Sequence, residues 1–130
     1  MSHILLVEDN PMNLELLRYL LQHHGHRVDS ESNGEDGVAA VESKRPDIVL
    51  CDLRMPRLDG YGLLERVRAN PALDDIVVIA VTAYSMPDDH RRVCEAGFDG
   101  HLTKPIVPET FVAQVEALIA AGRRQGRTGT

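Results

Sequence analysis

Residues 48–56 read IVLCDLRMP, in which four apolar residues are followed by an aspartate and a proline-containing segment. A short apolar run without alternation is typical of a strand that is covered on both faces, as in the parallel sheets of α/β proteins. Two other predicted strands, the first and the fourth, are equally continuous. The five predicted strands are His3–Val7, Arg27–Ser30, Ile48–Cys51, Ile76–Val81 and Gly100–Thr103.

Segments with helical periodicity follow each predicted strand. Their apolar residues lie on one face and are Leu14, Leu17 and Leu21, then Val38 and Val41, then Leu63, Leu64 and Val67, then Val93, and last Phe111, Val115, Leu118 and Ile119. Gly25 fits the end of the first helix, Asp59 an N-cap of the third, and Pro108 the first turn of the fifth. Five βα units predict a three-layer α/β sandwich with right-handed crossovers, although periodicity alone leaves the strand order open.

Composition narrows the class of protein. The chain has 130 residues and 43% hydrophobic residues, which suits one globular domain. Its net charge of −6 argues against nucleic-acid binding, because that requires a basic surface. Cys51 and Cys94 suggest no disulfide framework, and the sequence has neither a signal peptide nor an apolar run of about 20 residues. We therefore expect a soluble cytoplasmic protein with no membrane contact.

Polar residues follow four of the predicted strands. Glu8 and Asp9 come after the first strand, Asp52 after the third, Thr82 after the fourth and Lys104 after the fifth. The carboxyl ends of parallel strands meet at one edge of a sheet, where α/β proteins bind their ligands. We therefore expect these five side chains to converge, although they are far apart in sequence.

The expected cluster suits one kind of chemistry. Three adjacent carboxylates repel one another, and a hard divalent cation such as Mg²⁺ would relieve that repulsion. Lys104 and Thr82 add a positive charge and a hydroxyl, which could hold the oxygens of a phosphoryl group. A carboxylate can act as a covalent nucleophile, so Asp52 is the candidate acceptor in a phosphoryl transfer.

The chain resembles the receiver domain of two-component response regulators from roughly Ser2 to Ala121. The set of matching segments, in this order, is specific to that family. The segments are Val7-Glu8-Asp9-Asn10, Asp52-Leu53-Arg54-Met55-Pro56, Leu58-Asp59-Gly60, Ala80-Val81-Thr82-Ala83 and Lys104-Pro105.

The resemblance implies a flavodoxin-like (βα)₅ fold with parallel strand order 2-1-3-4-5 and phosphorylation of Asp52 by a phosphohistidine donor. It further implies that Asp9, Asp52 and the carbonyl of Arg54 ligate Mg²⁺ directly, with Glu8 acting mainly through a bound water. Mn²⁺ is an alternative ion at the same site.

The resemblance also assigns the residues that would contact the phosphoryl group. Thr82, Ala83 and Lys104 would bind it, and the Lys104–Pro105 peptide bond would be cis, which proline permits at a cost of about 0.5–1 kcal/mol. Thr82 would also be a switch residue. The second switch position, usually Tyr or Phe in the family, is His101 here, so the coupled side-chain rotation is less defined and a response to pH is open.

Arg54 and Tyr84 each lie two residues beyond a site residue, Asp52 and Thr82 respectively. We expect them to flank the entry of attacking water and to tune the lifetime of the phosphorylated form. Phosphorylation is expected to change partner binding at the face of the fourth helix, fifth strand and fifth helix. The first helix is the expected dock for a sensor histidine kinase or a histidine phosphotransfer protein, whereas the downstream target cannot be deduced.

The domain boundaries expected from the sequence are a receiver domain at residues 1–121 and a disordered basic tail at residues 122–130. The chain could be a stand-alone regulator or the receiver of a hybrid kinase. We expect a regulator with only self-phosphorylation and autodephosphorylation chemistry, not an enzyme that turns over a separate substrate.

Other interpretations stay open at this point. Taken singly, Asp52 suits a turn, Thr82 a strand end and Lys104 a solvated surface. An unphosphorylated pseudo-receiver that works by binding is one alternative function. A Mg²⁺-dependent aspartyl phosphohydrolase is less favoured, because Arg54 stands where such an enzyme needs a second carboxylate.

Overall fold

The computed structural model describes residues 2–55, 57–83 and 87–122. Five parallel strands form one sheet in the order β2-β1-β3-β4-β5. The strands are β1 (His3–Val7), β2 (Arg27–Glu31), β3 (Ile48–Asp52), β4 (Val77–Thr82) and β5 (Gly100–Thr103). The helices are α1 (Pro11–His23), α2 (Gly34–Lys44), α3 (Gly60–Arg68), α4 (Pro87–Ala96) and α5 (Pro108–Ala121). The predicted flavodoxin-like (βα)₅ architecture and strand order are confirmed.

The sheet separates two apolar clusters, because successive side chains of a strand point to opposite faces. In β3, Val49 and Cys51 belong to the cluster that also contains the buried residues of α2 and α3. Ile48 and Leu50 belong to the cluster that contains the buried residues of α1 and α5. Both faces of the central strands are therefore covered, which explains why their sequences are continuously apolar.

Three of the five strands differ slightly from the sequence prediction. β2 and β3 each continue one residue further, to Glu31 and Asp52, and β4 runs from Val77 to Thr82 instead of from Ile76 to Val81. Ile76 is not part of β4, because its N–H donates to the carbonyl of Leu73 and not to a neighbouring strand. Leu73 ends a short 3₁₀ turn, Pro71–Leu73, which was not predicted from the sequence. Asp52 and Thr82 thus stand on the last residues of their strands.

The predicted helix limits agree with the structure at three places. Asp59 caps α3, its Oδ1 accepting from the N–H of Gly62 at 2.9 Å, and Pro108 is the first residue of α5. After α1, Gly25 adopts a φ of +89°, which suits glycine. Among the described helices, none has the length and apolar content to cross a membrane. Residues 123–130, nearly all of the predicted disordered tail, lie outside the described part of the chain.

Candidate functional site

The polar residues at the strand ends come together. Glu8, Asp9 and Asp52 each offer a carboxylate oxygen, and these oxygens lie within 4.8 Å of one another. Lys104, which follows β5, reaches the same point. The sheet explains the convergence, since β1, β3, β4 and β5 are parallel neighbours and end at one edge.

Lys104 joins two of the three acids. Its Nζ donates to Oδ2 of Asp52 at 2.7 Å and lies 3.2 Å from Oε1 of Glu8. Burial by itself would lower the pKa of this ammonium group. The hydrogen bond to Asp52 and the charges of Asp52 and Glu8 together outweigh burial, and the pKa of Lys104 is raised. The lysine is therefore a fixed positive charge in the site.

Glu8 is the most buried of the acids, with only 4% of its surface exposed. Its Oε2 accepts from the backbone N–H of Asn10 at 3.1 Å. Burial raises the pKa of Glu8, the Asn10 N–H opposes that shift, and the neighbouring charge of Asp52 raises the pKa further. Ionised Glu8 therefore depends on nearby positive charge, part of which Lys104 supplies.

Asn10 supports the site, although the sequence indicated it only as the last residue of a matching segment. Its side-chain oxygen accepts from the N–H groups of Met12 and Asn13, at 2.9 and 3.1 Å, and so caps α1. Its own N–H holds Glu8. One residue therefore starts the helix and fixes the adjacent carboxylate. A cap-forming residue before Pro11 was the available sequence signal.

The donor set fits a hard divalent cation. Three carboxylates against one ammonium leave an excess of negative charge, and all three offer oxygen atoms, which Mg²⁺ prefers. Asp9 is exposed and stands at the open side of the cluster, whereas Glu8 and Asp52 are buried. The N–H of Arg54 donates to Oδ1 of Asp52 at 3.2 Å, which places this loop residue beside the cluster. A ligand role for the Arg54 carbonyl stays a prediction.

The start of α3 packs directly against the backbone of Asp52 and Leu53, and a glycine makes this close contact possible. The N–H of Gly60 donates to the carbonyl of Leu53 at 3.1 Å. A Cβ atom at Gly60 would lie 2.7 Å from the carbonyl oxygen of Asp52 and 2.9 Å from Cα of Leu53. No side chain fits there without moving the backbone of the candidate nucleophile. The sequence indicated only a helix start at Asp59-Gly60, not this close approach.

The predicted phosphoryl-binding residues line the same edge. Thr82 is buried, and its carbonyl accepts from the N–H of Lys104 at 2.8 Å, so the two residues are tied through the backbone. Ala83 is exposed and lines, with Lys104 and Pro105, a cleft of about 420 Å³. The Lys104–Pro105 peptide bond is cis.

The structure says less about the other three residues that were assigned a role from the sequence. His101 is half-buried on the edge strand β5, where its register partner is Ala80 on β4. The side chain of Arg54 is exposed. Tyr84 lies outside the described residues, so its predicted role in tuning dephosphorylation stays a prediction.

Comparisons with known proteins agree on one family. Residues 4–116 match the model of the response regulator receiver domain. PilH of Pseudomonas aeruginosa is 35% identical over 120 residues, which cover 92% of this chain and 99% of that protein. The polar-differentiation response regulator DivK of Brucella anthropi is 29% identical over 116 residues, covering 89% of this chain and 94% of DivK.

A solved structure is similar over nearly the whole chain. The receiver domain of a sensor histidine kinase from Pseudomonas aeruginosa PAO1 superposes with a TM-score of 0.83 and 33% identity, covering 92% of this chain and 98% of that one. That crystal structure has a magnesium ion coordinated in its active site cleft. Family match, sequence relatives and fold coincide, and the chain belongs to the response regulator receiver domain family of two-component signal transduction.

Proposed function

We propose that this chain is a phosphoacceptor switch that takes a phosphoryl group onto Asp52 from a phosphohistidine donor in a Mg²⁺-dependent reaction. The observation that carries the proposal is the contact of Lys104 with Asp52, at 2.7 Å, inside a cluster of three carboxylates. A buried carboxylate beside a fixed ammonium group and a cation site has the parts that a phosphoryl transfer needs.

Asp52 is the proposed nucleophile. Oδ1 accepts from the Arg54 N–H and Oδ2 from Lys104, so both oxygens are oriented. During transfer, Lys104 would move its hydrogen bond from the carboxylate to an oxygen of the incoming phosphoryl group. Thr82, at the end of β4, would supply a hydroxyl to another oxygen. These contacts hold the group in line with the attacking oxygen.

The same carboxylates would hold the cation. Asp9, Asp52 and the carbonyl of Arg54 are the proposed direct ligands, with Glu8 acting through a water molecule. When bound, Mg²⁺ supplies positive charge to phosphoryl oxygens and offsets the repulsion among the acids. Mn²⁺ is the proposed substitute, since it also accepts oxygen ligands.

The partners follow from this chemistry. A sensor histidine kinase or a histidine phosphotransfer protein is the proposed donor, and its loading from ATP is consistent with a cytoplasmic location. Met12 and Leu16 are exposed apolar residues one turn apart on α1, beside the acidic cluster, and support α1 as the docking helix. Output through α4, β5 and α5 stays a proposal, as does the receiver domain at residues 1–121. The end of α5 at Ala121 supports that boundary.

The alternatives predict different outcomes. An aspartyl phosphohydrolase would turn over a phosphate ester repeatedly, but the position two residues after Asp52 is an exposed arginine, which supplies no general acid at neutral pH. A pseudo-receiver would bind partners equally well without phosphorylation. Slow autodephosphorylation, with Arg54 and Tyr84 tuning its rate, is expected only of the switch.

Intact-mass measurement tests the proposal. The protein is incubated with acetyl phosphate or phosphoramidate, with and without Mg²⁺. We expect one phosphoryl addition that requires Mg²⁺, is absent in Asp52→Asn and persists in Asp75→Asn, a control at an exposed aspartate. Hydroxylamine should remove the group, as it does from an acyl phosphate. No addition from these donors or from a phosphorylated histidine protein would leave the pseudo-receiver as the better description.

A further inference from the structure

A cleft opens beside the cluster of acids, between α1 and the connection from β5 to α5. It has a volume of about 420 Å³, within the range of small-molecule sites. Its wall is largely apolar and includes Leu16, Leu17, Pro105 and Ile106. Glu8 and Lys104 are the charged residues that line it.

One residue of the cleft contacts the candidate nucleophile. Lys104, which lines the cleft, also lies 2.7 Å from Oδ2 of Asp52. A molecule with its anionic phosphoryl end at Lys104 would extend its other end along the apolar wall. Leu16 is 40% exposed, so a ligand would remove apolar surface from water at that position. The single methyl group of acetyl phosphate would leave most of this wall uncovered.

We propose that the cleft recognises the acyl group of small-molecule phosphodonors and that the preferred donors are acyl phosphates with an apolar, aryl-sized acyl group. The inference rests on the proposed acceptor role of Asp52 and adds a substrate class to it. A carboxylate oxygen of Asp52 forms a bond to phosphorus, and the bond from phosphorus to the bridging oxygen breaks. The acyl carboxylate leaves with that electron pair, so no proton or further reactant is needed.

The test compares benzoyl phosphate with acetyl phosphate, both with Mg²⁺, by the initial rate of mass addition at Asp52. The two leaving groups are carboxylates of similar basicity, so the ratio of second-order rate constants reports contacts of the acyl group. Covering roughly 50 Å² more apolar surface corresponds to about a tenfold preference for benzoyl phosphate. Phenylphosphonate should likewise inhibit labelling by acetyl phosphate at about tenfold lower concentration than methylphosphonate.

Matched variants on α1 locate the effect. Leu16→Gln removes apolar surface from the cleft, whereas Tyr19→Gln changes a residue of α1 that is 64% exposed and does not line it. The preference for benzoyl phosphate should fall to near unity in Leu16→Gln, and also in Ile106→Gln, and should persist in Tyr19→Gln. Equal ratios in wild type and both cleft variants, with acetyl phosphate still labelling Asp52, would overturn this inference alone. If neither donor labels Asp52, the proposed function fails together with it.

Discussion

The ammonium group of Lys104 lies 2.7 Å from a carboxylate oxygen of Asp52, although β4 separates the strands that carry them. Two strand spacings amount to roughly 10 Å, so only a long side chain bridges the gap. The side chain of Lys104 therefore extends across the carboxyl end of β4. It contacts Glu8 as well, and both contacts depend on the parallel order of β1, β3, β4 and β5.

Lys104→Met should separate cation binding from phosphoryl transfer. Removing the ammonium group leaves three carboxylates without their fixed positive partner, so Mg²⁺ affinity should rise about fivefold, or ~1 kcal/mol at the dielectric of a protein surface. The rate of labelling by acetyl phosphate should fall about 100-fold, because a donor to the phosphoryl oxygens is lost. Calorimetric titration and intact mass measure the two effects.

Lys44→Met is the matched control, since Lys44 is the only other lysine in the sequence and pairs with Asp29 instead. It should leave both quantities unchanged. Unchanged or weaker Mg²⁺ binding in Lys104→Met would contradict the electrostatic account of the cluster.

Gly60→Ala should damage the site through the backbone. The added Cβ would lie 2.7 Å from the carbonyl oxygen of Asp52, so the loop must shift, at a cost of about 1–3 kcal/mol in the free energy of unfolding. We expect weaker Mg²⁺ binding and slower labelling in the variant that does fold. Gly25→Ala is the comparison, because its Cβ would meet nothing within 4 Å and only its φ of +89° opposes substitution. It should lose about 1 kcal/mol of stability and retain labelling.

Asp99→Ala should destabilise the fold but leave the Mg²⁺ affinity of the folded protein unchanged. Oδ2 of Asp99, whose side chain is fully buried, accepts from Arg68 at 2.8 Å and from the N–H of Val78 at 2.9 Å. Loss of the carboxylate removes the charged acceptor of the half-buried Arg68 guanidinium and an acceptor of the buried Val78 N–H, so the free energy of unfolding should fall by about 2–4 kcal/mol. Urea unfolding measures this change.

Glu42→Gln, at an exposed acid on α2, should have an effect near zero in the same assay. Mg²⁺ affinity of folded Asp99→Ala should match that of the wild type, since Asp99 precedes β5 and the acids lie at the opposite strand ends. A drop in stability no larger than that of Glu42→Gln would show that the ion pair contributes little.

The pH dependence of stability should include a contribution from Asp29. A hydrogen bond from His3 lowers the pKa of Asp29; burial opposes this, and Lys44 adds to the lowering. A carboxyl group with a lowered pKa stabilises the fold above its ordinary value of 3.8 and loses that contribution as pH falls through the folded-state pKa. Asp29→Asn should therefore cost about 1 kcal/mol near pH 5 and progressively less below about pH 4.

Urea unfolding at a series of pH values from about 5 downwards checks the direction of this pH dependence. The proteins compared are wild type, Asp29→Asn and Asp75→Asn, a control at an exposed aspartate. The difference between wild type and Asp29→Asn should shrink with acidity, while the control stays close to wild type. A difference that is constant with pH would mean that Asp29 does not titrate differently in the folded and unfolded states.

Much of the fold was predictable because the central strands are buried on both faces. Continuous apolar runs as short as that of β3 favour such strands over helices, which are longer. Strand ends were less predictable. The β4 prediction began and ended one residue early, and the early start reflects the hydrogen bond from Ile76 to Leu73, in a turn that apolar periodicity does not reveal.

The convergence of Glu8, Asp9, Asp52 and Lys104 was predictable from topology alone, since parallel strands share their carboxyl ends. Contacts that depend on packing between distant elements were not. The pairing of Arg68 with Asp99 and of His26 with Glu116 joins residues whose local sequences carry no signal of a partner. The close approach of Gly60 to Asp52 belongs to the same class, because it depends on where the helix after the loop packs.

The alternation of side chains along β3 determines which residues enter each of the two apolar clusters. Inserting or deleting one residue within Ile48–Asp52 would exchange the side chains that the two apolar clusters receive and would turn the carboxylate away from Lys104. Changes in length should therefore be better tolerated at residues 24–26 and 45–47, two connections at the opposite strand ends from which neither cluster takes a side chain. Insertion scanning would test this directly, with little effect at those two connections and a loss of folding inside the central strands.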